Sequence, residues 1–185
     1  EALLIDAETK LNIVIDKNTA YNSKINDRLT EFTGLKVLST RLVNALQITD
    51  AKEQLINDAK GFNRKMQGQR LTPTSTTPTL PNAEVPNTIS TSQRSYIQQI
   101  QHLAGLIAVL KSEPTYTPNE VDLQITTLEN KQTQLATKNN EVATAYENVS
   151  NARIARNNTL YLNEKSIFET AAEVKKYIKS IYGST

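Results

Sequence analysis

Apolar residues recur along this chain at intervals of three and four, broken at a few defined places. In the first 32 residues, Leu4, Ala7, Leu11, Val14, Tyr21 and Ile25 keep that rhythm, and Asn18 fills the one skipped position. Such spacing lines one face of a helix, and its seven-residue repeat is that of a coiled-coil seam. Gly34 interrupts it. Leu35, Leu38, Leu42 and Ala45 then resume, followed by Leu55, Ala59, Phe62 and Met66, with Gly68 placed as a C-terminal stop. Asp50 and Glu53 have the spacing of a capping box, so a helix can restart there. The pattern predicts helices over 3–32 and 35–67.

The stretch "LTPTSTTPTLPNAEVP" (71–86) holds four of the six prolines. No helix survives that density of Pro, so 69–91 is expected to be an extended Pro/Thr-rich crossover or linker. The helical rhythm restarts near Ser90–Ser92 and runs through Tyr96, Ile100, Leu103, Ile107 and Leu110, predicting a helix over 92–111. Within it, "LAGLIAVL" (103–110) is apolar all round. It is far shorter than the roughly 20 residues needed to span a bilayer, so it predicts a buried central helix. Thr117, Pro118 and Glu120 then combine an N-cap, a first-turn proline and a capping-box acid, and predict a helix over 119–182. That helix is either continuous or broken near 150–158, where the seam turns polar. The fold expected is an all-α bundle of long antiparallel helices. Its first helical unit is 1–68, its crossover 69–91, and its second unit 92–185, packed with the first as one domain.

"AKGFNRKMQG" (59–68) and "VKKYIKSIYG" (174–183) end in nearly the same way. Both have Lys, an aromatic (Phe62, Tyr177), a long apolar residue (Met66, Ile181) and Gly. With one gap near Gly34, Phe32 aligns with Tyr146 and Arg41 with Arg156. An old duplication of a helical unit reads this way, and so do two unrelated heptad helices. The segments "YTPNEVDL", "NARIARNNTLY" and "AAEVKKYIKSIYG" resemble uncharacterised all-helical proteins of Bacteroidetes. The resemblance covers mainly the C-terminal third. It implies an all-helical fold and no particular activity.

Composition narrows the chemistry. Of 185 residues, 63 are Thr, Asn, Gln or Ser, only 22% are charged, and the net charge of +2 gives no argument for a nucleic-acid partner. A Thr/Asn-rich, Cys-free composition is common in secreted bacterial filament subunits, which slightly favours a secreted or cell-surface location. No signal peptide or 18-residue apolar span occurs, and the chain begins at Glu1 without Met, which fits a leader either removed or lying outside this sequence.

There is no Cys, and the only His is His102, which lies off its helix's seam and is expected to face solvent or a neighbouring helix. No metal site, cofactor or catalytic residue is expected: no Glu-x-x-His pair, nucleophile elbow or phosphate-binding glycine motif is present. Asn148-Val-Ser150 and Asn157-Asn-Thr159 fit the glycosylation triplet, a common accident in such a composition. The basic and aromatic cluster Lys175, Lys176, Tyr177, Lys179, Tyr182 suits a lipid or RNA surface. The simpler reading is a helix C-terminus, where cations favour the dipole, with Tyr177, Ile178 and Ile181 turned to the core.

These observations predict a non-enzymatic structural or assembly protein whose partner is itself or another protein. The contact is expected along 139–160, where Asn139, Arg153 and Arg156 interrupt a seam that keeps Val142, Tyr146, Val149 and Leu160. Tyr146, Arg153 and Arg156 are the candidate interface residues; the plainer reading is a helix bend with these side chains in water. A competing class is a membrane-active helical protein resembling long-helix pore-forming toxins, with "LAGLIAVL" as a concealed inserting element.

Overall fold

A computed structural model describes residues 2–68 and 94–183. The protein is all-α, and the described residues contain no strand. Six α-helices follow in order: α1 Ala2–Phe32, α2 Leu35–Gln47, α3 Glu53–Gln67, α4 Tyr96–Lys111, α5 Ile125–Asn157 and α6 Ile167–Tyr182. A 3-10 turn, Val121–Leu123, precedes α5, and a π turn, Asn158–Leu162, follows it. The expected crossover, 69–91, lies outside the described residues. By contact the chain falls into two units. One joins the two ends of the sequence, Glu1–Thr30 with Asn140–Thr185; the other is Glu31–Asn139. The expected division at 68 and 92 ran along the sequence, whereas this grouping runs across it.

The 31–139 unit holds the larger apolar core. Gly34, at φ 83, takes the left-handed turn between α1 and α2 that an L side chain resists, and its carbonyl accepts from Leu38 N–H at 2.9 Å. Leu35, Leu42 and Leu46 of α2 are then buried with Ala59 and Met66 of α3. α2 and α3 run antiparallel: Ser39 Oγ donates to Asn63 Oδ1 at 2.7 Å, and Gln67 Nε2 donates to the Lys36 carbonyl at 2.8 Å. The predicted restart at Asp50 is not the one used. α3 begins after Lys52 without a side-chain cap, because Thr49 closes the turn instead. Its hydroxyl donates to the Leu46 carbonyl at 2.7 Å and accepts from Ala51 N–H at 3.3 Å.

α4 starts at Tyr96, four residues after the expected 92, at a capping box formed by Ser95 and Gln98. It lies antiparallel to α3, with Arg94 Nη2 donating to the Gly68 carbonyl at 2.9 Å and Phe62 seated on Gly105. Leu103, Leu106, Ile107 and Leu110 are buried, but Ala108 is exposed, so the all-apolar run is covered on one face and not all round as expected. His102 is buried too, which removes solvent as its surroundings.

The predicted start at Thr117 is also displaced. Tyr116 is buried, and its hydroxyl donates to the Leu123 carbonyl at 3.0 Å, while Arg41 pairs with Asp122. Those tertiary bonds hold 116–124 out of helix, and α5 begins only at Ile125. Leu128 and Leu135 then join the core at seven-residue spacing. Lys131 Nζ meets Glu31 Oε1 at 2.7 Å, so the end of α1 and the start of α5 are neighbours in this unit.

In the unit made of the chain ends, α1 and α5 pair antiparallel. Lys24 meets Glu141 at 2.9 Å, Tyr21 lies on Tyr146 with ring centroids 5.8 Å apart, Asn18 bonds Arg153 and Lys10 bonds Thr159. Each step back along α1 is matched by a step forward along α5. Ala7, Val14, Val142 and Val149 are buried, all at predicted heptad positions. The region 119–182 is therefore two helices. The break comes after Asn157, just beyond most of the predicted window, where Asn163 N–H reaches back five residues to the Asn158 carbonyl at 2.9 Å. Ser166, fully buried, caps α6 by accepting from Glu169 N–H at 3.1 Å.

Candidate interaction surfaces

The three residues expected at an interface all lie in the unit formed by the chain ends, on the last three turns of α5. Tyr146 is 58% exposed even with Tyr21 against it. Arg153 is exposed and donates from Nη2 to Asn18 Oδ1 at 3.1 Å. Arg156 is half-buried and grips the neighbouring Asn157 side-chain oxygen from Nε at 3.1 Å and Nη2 at 2.8 Å. Tyr146 and Arg153 thus share one face with α1. Arg156 is turned onto its own helix. Val142 and Val149 are buried beneath them, and Ile154 is exposed beside them.

Further along, the π turn buries Thr159 in a small polar cluster. Lys10 Nζ reaches Asp6 Oδ2 at 2.7 Å and Thr159 Oγ1 at 2.6 Å, and that hydroxyl donates to Asp6 Oδ2 at 3.1 Å. The hydrogen bond from Lys10 holds the Asp6 carboxyl below the usual carboxylate range, against the opposing effect of desolvation. Lys24 is raised by its hydrogen bond to Glu141 and by that residue's charge. These contacts fix the register of α1 on α5.

α6 departs from expectation. Tyr177, Ile178 and Ile181 were expected to face the core, but none of the side chains of this helix is buried, and these three are half or more exposed. The physical reason is that α6 packs mainly against the π turn before it, so no helix of this unit covers its apolar stripe. Between that stripe and the first turn of α1 lies an open groove of about 640 Å³, walled by Leu3, Leu4, Ile167, Ala171, Val174 and Ile178. Lys175 and Lys179 form its rim, and no carboxylate lines it. Sequence reasoning missed this groove because it turned Tyr177, Ile178 and Ile181 to the core and expected the exposed seam over 139–160 instead. The available signal was an excess of apolar residues on α1. Ile5, Ile13 and Ile15 lie off the seam and are exposed.

In the 31–139 unit, a polar cleft of about 400 Å³ runs past Thr49, Asp50, Tyr116 and Glu120. Burial, with the nearby charges of Glu120 and Asp122, pushes the Tyr116 phenol up to about 12. The phenol is a neutral structural donor there. Among the described residues no three His, Cys, Asp or Glu side chains gather in a metal-binding group, and no helix is long and apolar enough to cross a membrane. No family model, curated protein or solved structure matches the chain.

Proposed function

We propose that this is a non-enzymatic assembly protein, a helical subunit that works by associating with itself or with another protein. The observation that carries this reading is the amount of apolar side chain left outside on the unit formed by the chain ends. Leu4, Ile5, Ile15, Ile154 and the apolar stripe of α6 are exposed there, and apolar side chains left on a surface suit a protein contact. Burial of Leu103, Leu106, Ile107 and Leu110 in the other unit favours association over insertion of 103–110 into a bilayer.

The stretch 139–160 is the proposed contact, with Tyr146 as its aromatic anchor and Arg153 and Arg156 beside it. An exposed aromatic with arginines suits the centre of an interface better than a solvated face. The test is the size of the purified protein with Arg153→Glu and Arg156→Glu combined. Loss of assembly in a folded double variant is the expected result. An oligomer that survives both substitutions places the contact elsewhere. A catalytic activity or a tightly held cofactor in the purified protein ends the non-enzymatic reading.

A further inference from the structure

Charge is sorted around α6. At about 100° per residue, Ile167, Ala171, Val174, Ile178, Ile181 and Tyr182 fall within an arc of about 100°. All but Ile167 are exposed. Lys175 and Lys179 stand on one border of that arc, where they rim the groove. Exposed Phe168 lies between them around the helix, and exposed Tyr177 marks the other border. Glu169 and Glu173 come out more than about 120° from the centre of the arc, on the opposite side of the helix with Lys176. The apolar side therefore carries positive charge alone, although α6 as a whole is mixed. A helix C-terminus does not account for this. The dipole acts within the last turn, and of the three lysines only Lys179 is there. Among the described residues neither Lys175 nor Lys179 has an ion-pair partner.

We infer that α6 lies flat on an anionic phospholipid surface with its apolar stripe down. Val174, Ile178 and Ile181 enter the boundary between headgroups and acyl chains. Lys175 and Lys179 extend along the border of the stripe and set their ammonium groups among the lipid phosphates. The hydroxyls of Tyr177 and Tyr182 stay at headgroup level. Glu169 and Glu173 face away from the negative surface. With 16 residues and one apolar side, α6 binds in the plane of the surface and does not cross it. The positive border selects an extended negative surface over an uncharged apolar one. The inference goes beyond the association reading. It leaves the 139–160 contact in place and gives the α6 stripe lipid to face in place of protein.

The chain has no Cys, so single cysteines can report which side of α6 meets lipid. On vesicles of phosphatidylglycerol mixed equally with phosphatidylcholine, a polarity-sensitive dye at Ile178→Cys should brighten, and the same dye at Glu173→Cys should not. Cosedimentation of the whole chain with these vesicles gives the affinity. Val174→Asp with Ile178→Asp should weaken binding at least about tenfold, and so should Lys175→Glu with Lys179→Glu. Lys36→Glu with Lys60→Glu makes the same charge change on exposed side chains of the 31–139 unit and should stay within about twofold. Salt at about 0.5 M should weaken the wild type. Circular dichroism should show unchanged helix content in every variant, since none of these side chains is buried. Absence of binding to the anionic vesicles overturns the inference. Equal loss with the Lys36 and Lys60 pair overturns it too, because attraction by overall charge then suffices. So does equal brightening at 173 and 178. If the Asp pair alters the protein's own sedimentation and leaves vesicle binding intact, the stripe faces protein and the lipid assignment is wrong.

Discussion

Arg153 Nη2 donates to Asn18 Oδ1 at 3.1 Å, and both residues occupy seam positions that the heptad pattern reserves for apolar side chains. The two polar interruptions, 135 residues apart, answer each other. A polar seam pair costs stability relative to an apolar one but permits only one register, because a slip of one heptad would leave both groups against apolar neighbours.

A double-mutant cycle should detect that pairing. Asn18→Ala and Arg153→Ala should each destabilise modestly, with a coupling of about 0.5 kcal/mol, the scale of an exposed charge-assisted bond. Urea unfolding of the four proteins measures it. Exact additivity would mean that the pair does not act as one. Any reading of Arg153→Glu as an interface mutation must subtract this intramolecular share.

Gly105 is held by contact rather than by conformation. A Cβ there would overlap the Phe62 ring, which is wedged into α4 at that point. Gly105→Ala should therefore destabilise by about 1–3 kcal/mol despite its better helix propensity. Adding Phe62→Leu should recover part of the loss. A stabilised Gly105→Ala, seen as a raised melting temperature, would refute the close approach.

Leu106 and Ile178 both sit in apolar helical runs, yet their substitutions should diverge. Leu106 is 0% exposed, and Leu106→Asp buries a charge with no partner, a change of more than about 4 kcal/mol. Ile178→Asp should stay within about 0.5 kcal/mol in the dissociated chain. Circular dichroism on thermal melting checks both. It also means that Leu106→Asp reports on folding, so it cannot isolate a membrane role for 103–110.

Tyr116 gives a pH signature. Its phenol titrates near 12 in the folded protein, raised mainly by burial, against about 10 when unfolded. A raised folded value favours the neutral form, so the stability it contributes is complete below pH 10 and is lost as pH rises through 12. Spectrophotometric titration should show one tyrosine ionising last, and Tyr116→Phe should remove that step. If every tyrosine ionises near its ordinary value, Tyr116 is not buried as described.

The helical rhythm of 3–32, the positions Leu128, Leu135, Val142 and Val149, and the burial of Leu103, Leu106, Ile107 and Leu110 are legible, because one side-chain period carries them. The starts at Asp50 and Thr117 were misread for a common reason. Cap residues advertise a helix locally, but Thr49 spends its hydroxyl on the Leu46 carbonyl three residues back and buried Tyr116 spends its own on the Leu123 carbonyl seven residues on, and apolar spacing does not show such bonds. α6 was misread for the opposite reason. Its stripe is as regular as a core stripe, and periodicity does not say whether anything lies across from it. Asn18 and Arg153 were each visible as exceptions, and only the antiparallel pairing showed that they were one exception.

The unit built from both chain ends sets an order of events. Lys10 and Thr159 are 149 residues apart, and closing a loop of that length from a disordered chain costs roughly 4 kcal/mol in entropy. The 31–139 unit needs no such closure at the ends, and it is complete before the last helix leaves the ribosome. Once Glu31 and Lys131 are held together there, the stretches that follow have a short loop to close. Until then the first turns of α1, with Asp6 and Ala7, wait without their intramolecular partners. Slow synthesis of the final quarter of the chain would lengthen that wait, and with it the interval in which two nascent chains can pair wrongly.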